Sequence, residues 1–137
     1  MINRLRQVLT VPAMMLFIAI LTLIYSGYRA ELNQENQTAR SAGFEVLKAL
    51  NELQMIIDAQ RYTPDDAPNF LEGWNEVLII DDMSDFIDLS VQTQAQALHQ
   101  TWQNNFESLQ DENANKTLTT AIQKTRSSLK AAIHNLH

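Results

Sequence analysis

The chain opens on a stretch with no polar face and then becomes periodic. From Gln7 to Tyr28, QVLTVPAMMLFIAILTLIYSGY, no residue carries charge, and Arg6 and Arg29 bracket the run. About 30 Å of hydrocarbon is crossed by roughly 20 apolar helical residues. Backbone groups in lipid must bond one another, so the run predicts a transmembrane helix. Pro12 is expected in its first turn, where a missing N–H costs little, and Tyr25 and Tyr28 suit an interfacial aromatic belt. A cleaved signal peptide is disfavoured, because its apolar core is usually about 7–15 residues and no A-x-A-like site follows this one. Past Arg29 the apolar positions recur on one stripe. Leu32, Ala39, Val46 and Leu53 come every seventh residue, with Ala42, Ala49 and Ile56 between them and Leu50 and Ile57 widening the seam. This predicts a helix over 29–62, thinly packed near Ala39 and Ala42, with Gly43 tolerated.

Thr63 to Pro68, with two prolines and two aspartates, reads as a turn. Phe70, Leu71, Trp74, Val77 and Leu78 then predict a short helix near 69–80. Its end, Val77-Leu78-Ile79-Ile80-Asp81-Asp82, resembles the first strand of a response-regulator receiver domain. Such a domain needs further alternating strands and helices, and a short buried helix is more economical. Asp82-Met83-Ser84-Asp85 resembles a capping box opening a helix over 83–109, lined by Met83, Ile87, Val91, Leu98, Trp102, Phe106 and Leu109. After a break at Asp111–Asn113, Leu118, Ile122, Thr125, Leu129, Ala132 and Leu136 mark a last helix over 113–135, flanked by Ala121 and Ile133. The expected fold is all-α. A single N-terminal transmembrane helix continues into an antiparallel extracytoplasmic bundle of three long helices and one short one.

Composition supports this picture. Three Gly and three Pro among 137 residues, against 12 Gln and 11 Asn, suit long helices with polar outer faces. The absence of Cys removes disulfides, thiolate zinc sites and cysteine nucleophiles. Residues 29–137 suffice for one compact domain. The head, residues 1–6, carries Arg4 and Arg6 without an acid, which places it in the cytoplasm by the positive-inside rule. Residues 7–28 then cross the inner membrane once, and 29–137 lie in the periplasm. The net charge of −6 is unevenly spread: between Tyr62 and Asn115 eleven acids occur without Lys or Arg. Beyond Glu112 only Lys116, Lys124, Arg126 and Lys130 carry charge, leaving histidine aside. Setting the last helix antiparallel to the 83–109 helix would oppose these signs and help fix the pairing. An acidic outer domain disfavours nucleic acid.

Candidate chemistry is sparse. Asp81, Asp85 and Asp88 fall at i, i+4 and i+7, which would put them on one helical face as a cation or ligand site. The competing reading is that acids favour a helix N-terminus. His134 and His137 are spaced for zinc without an evident third ligand, and Trp74, Trp102 and Phe106 suit a core more than a ligand cage. No nucleophile motif, catalytic triad or glycine-rich phosphate loop occurs, so no catalytic, metal or cofactor site is assigned.

The basic head, apolar helix and helical outer segment resemble the N-termini of bacterial chemoreceptors and sensor kinases. Those families typically return through a second span to a cytoplasmic signalling module, and neither is read here, so no family is assigned. The expected function is a non-enzymatic interaction or accessory subunit of an envelope complex. Its partner would be another membrane or periplasmic protein, or a second copy. Leu32, Glu35, Ala39 and Ala42 are the expected interface, because small residues let another backbone approach. The alternatives are a small-ligand-binding sensory module acting through a partner, and a membrane-tethered inhibitor or immunity protein.

Overall fold

A computed structural model describes the backbone of residues 2–136 and the side chains of residues 12–136. The side chains of Arg4, Arg6 and Gln7, and all of His137, lie outside the described residues. Four α-helices and no strand occur among those described: α1 (Ile2–Tyr62), α2 (Phe70–Ser84), α3 (Leu89–Asn105) and α4 (Glu112–His134). The chain divides into two compact parts, Met1–Glu35 and Asn36–His137.

In the first part the apolar stretch belongs to one long helix, long and apolar enough to cross a membrane. Eleven large apolar side chains from Met14 to Tyr28 stand 47–73% exposed. One expectation is corrected. The helix begins at Ile2, so Pro12 is interior rather than in a first turn, and one backbone bond is forfeited there. Thr22 partners its hydroxyl internally, donating to the Ile18 carbonyl at 2.8 Å.

The second part is built on the predicted stripe. Ala39, Ala42, Val46, Ala49, Leu50, Leu53, Ile56 and Ile57 are buried, whereas Leu32, in the first part, is exposed. A Cβ at Gly43 of α1 would come within 2.7 Å of Ile133 Cδ1, so an added methyl group would require the end of that side chain on α4 to shift. The two helices run in opposite directions. Arg61 meets Glu112 at 3.2 Å, Asn115 donates to the Ile57 carbonyl at 3.1 Å, and Arg126 donates to Asn51 at 2.8 Å. At the first of these ties the Arg61 guanidinium is held above its ordinary pKa by Tyr62 and then by Glu112.

Helices α3 and α4 are also antiparallel. Ser90 bonds Ser128, and the buried Thr125 hydroxyl lies 3.2 Å from the Gln94 carbonyl and 3.0 Å from the Ala121 carbonyl, which satisfies it. Val91, Ala95, Leu98 and Trp102 of α3 meet Leu118, Ile122 and Leu129 of α4 in one core with Val77 and Ile80 of α2. Gly73 on α2 makes this closure possible, because a Cβ there would fall 2.2 Å from Trp102 Cη2.

The break between α2 and α3 lies six residues later than the capping-box reading placed it. Asp88, not Asp82, caps α3, accepting the Val91 N–H at 2.8 Å. Asp82 to Ser84 instead finish α2, where buried Ser84 donates to the Asp81 carbonyl at 2.7 Å. The short helix is therefore longer than expected and the 83–109 helix shorter, ending at Asn105. The last helix agrees with its prediction to one residue at each end, capped by Asp111 through the Asn113 and Ala114 N–H groups. The Val77–Asp82 run is helical, in keeping with the reading that set the receiver-domain strand aside.

Candidate functional site

The predicted acidic face does not form. Asp81 lies on α2, Asp85 is the cap residue at its end, and Asp88 is the N-cap of α3. A turn between α2 and α3 thus replaces the continuous helix that would have aligned them. Each has separate work: Asp81 meets His99 Nδ1 at 2.9 Å, Asp85 accepts from Gln92, and Asp88 caps Val91. Among the described residues no group of three or more His, Asp or Glu is arranged to hold a metal. His134 is exposed on α4, and its suggested zinc partner His137 lies outside the described residues.

The aromatic residues do come together, as part of the packing. Trp102 is fully buried, with Trp74 edge-on to it at 6.3 Å and Phe106 5.5 Å from Trp74. Phe70 extends the row, 5.7 Å from Phe106. His99 lies edge-on to Trp74 at 5.8 Å, so its bond to Asp81 is bordered by aromatic rings. Buried Trp102 Nε1 has no hydrogen-bond partner, which ordinarily costs about 1–3 kcal/mol. Ring packing outweighs that loss in a core of this size.

The expected interface is divided. Leu32 and Glu35 are exposed in the first part of the chain, whereas Ala39 and Ala42 are buried in the second. The two alanines therefore pack inside the fold. Their neighbour Gly43 rests on Ile133 and Leu129 of α4, and Arg40 donates to the Leu136 carbonyl at 3.2 Å. The end of α4 covers a seam that the sequence leaves looking thin.

A groove that sequence reading missed lies between α1 and α4. It holds about 330 Å³, floored by Gly43, Leu129 and Ile133 and walled by Phe44 and Leu47. Arg40, Lys130 and His134 stand on its rim, and no acid lines it. Phe44 is 73% exposed although it belongs to a helix with a well-buried stripe. That off-stripe aromatic was the available signal.

The sorted charges do not meet as expected. The only ion pair between Lys or Arg and an acid among the described residues is Arg61–Glu112. Lys116, Lys124 and Lys130 are exposed, and Arg126 turns to Asn51 on α1 rather than toward α3. Position along the chain set the signs but not which side of α4 each cation occupies.

Comparison with models of known protein families, with curated proteins and with solved structures finds no match to this chain.

Proposed function

We propose that the chain is a single-pass, membrane-anchored accessory subunit of an envelope complex, working through protein contact rather than catalysis. In this reading the head is cytoplasmic, residues 7–28 cross the inner membrane, and the C-terminal helices form a periplasmic bundle. The observation that carries it is the run of large apolar side chains from Met14 to Tyr28, exposed all round the helix. A contiguous apolar surface of that kind is rare on a protein facing water. On a helix of this length lipid is the natural cover. The C-terminal part supports a contact role through its exposed apolar residues, among them Phe44, Leu71, Phe86 and Leu89.

Alkaline extraction of membranes from cells making the full-length protein tests the anchor. Retention in the membrane pellet, with the C-terminal part digested by protease added from the periplasmic side, supports the reading. Release into the supernatant, or protection from that protease, contradicts it.

A further inference from the structure

We propose that the groove between α1 and α4 receives a second copy of this chain, seated head to tail. The occupant would be the apolar, acidic corner where α2 gives way to α3. Three observations carry this.

The first is chemical complementarity. The groove is apolar inside, with Arg40, Lys130 and His134 on its rim. The α2–α3 corner presents Phe86 and Leu89, 55% and 76% exposed, beside the exposed acids Asp82, Asp85 and Asp88. Lys130 has no acidic partner among the described residues, and the acids at this corner have no Lys or Arg partner there. Each surface has the charge that the other lacks.

The second is matched level. Ser90 bonds Ser128, so the start of α3 stands beside the turn of α4 that leads into Leu129 and Lys130. Groove and corner therefore occupy the same height of the helical part, on different faces. Copies anchored in one membrane share an up direction. The corner of one can enter the groove of the next by sideways approach, without a shift along the helix axes. This clause rests on the anchored reading above.

The third is asymmetry. The two surfaces are different, so the contact is heterologous and repeats around a ring or along a row instead of closing as a two-fold pair. The apolar residues supply contact area, and the rim charges select direction and partner.

Absence of cysteine from the chain allows a direct test. Full-length Phe44→Cys and Leu89→Cys, carrying different tags, are made together in one membrane and treated with a short bis-maleimide. Both positions are well exposed, so folding is expected to survive. The proposal expects a mixed-tag dimer as the main crosslinked product. Lys130→Glu in the Phe44→Cys copy should lower its yield at least about fivefold, the equivalent of roughly 1 kcal/mol. Asp85→Lys in the Leu89→Cys copy should restore it. The proposal is overturned if Phe44→Cys couples only to itself, if no mixed dimer forms, or if Lys130→Glu leaves the yield unchanged. Fractionating the same samples keeps the two readings apart. Protein in the pellet without the mixed dimer defeats the contact alone, while soluble protein defeats the anchor and leaves the crosslink to judge the contact.

Discussion

Two stretches of α1 each carry many large apolar residues and meet opposite fates. Between Met14 and Tyr28 the large apolar side chains are exposed on every side, whereas Val46, Leu50, Leu53 and Ile57 are completely buried. Period, as well as apolar content, separates them. Where apolar residues recur on one stripe, the remaining positions are polar and the stripe can be covered by α4. Where they surround the helix, no single neighbour could cover them, and the surrounding medium has to. The same helix thus carries two patterns, and that difference supports the anchored reading.

The sharpest way to break the comparison is to truncate one large side chain in the core that buries the striped stretch and one in the apolar run. Trp102→Ala should destabilise the C-terminal part by about 3–5 kcal/mol, seen as a lower midpoint in detergent-solubilised full-length protein. Ile24→Ala should leave that midpoint unmoved. Both tryptophans, Trp74 and Trp102, lie beyond Glu35, so emission in the Ile24→Ala protein reports only the C-terminal part. Equal losses from both substitutions would mean that the apolar run contributes to the same core.

Close approach provides a smaller effect. Gly73→Ala places a Cβ against the Trp102 ring and should cost about 1–3 kcal/mol through overpacking. An unchanged midpoint would mean that α2 is not held against Trp102. The helix boundary is tested more gently still. Asp88→Ala should cost about 1 kcal/mol as a lost cap, while Asp82→Ala costs almost nothing; the reverse order would restore the capping box at Asp82.

Smallest of all should be Lys124→Glu, within about 0.5 kcal/mol and insensitive to salt. A larger loss that salt relieves would mean that the charges of α4 do face the acidic segment.

The elements that could be read in the sequence share one property: their apolar positions stay in register for several turns. The stripe from Ala39 to Ile57 and the positions from Leu118 to Ala132 are buried as the spacing predicts. The corner between α2 and α3 was not legible, because Asp82 and Asp88 both offer an N-cap and neither Pro nor Gly separates them. Burial of Ser84 and its bond to the Asp81 carbonyl decide between them, and both depend on tertiary packing. Moving that corner also dispersed Asp81, Asp85 and Asp88. Ala39 and Ala42 misled for a related reason. Small residues leave room for whatever packs on them, and the neighbours across from Gly43 are the Ile133 and Leu129 side chains of this chain's own α4. The groove at Phe44 lay hidden because its lining joins residues 40–47 to residues 129–134, separated by most of the C-terminal part.

The central claim, that one helix serves two solvents, is tested most directly by single-cysteine labelling of the full-length, otherwise cysteine-free protein in intact cells with a permeabilised outer membrane. A membrane-impermeant maleimide should leave Leu21→Cys unmodified until detergent is added, and should label Gln96→Cys at once. Prompt labelling of Leu21→Cys before detergent would contradict the account, because the apolar run would then be facing water.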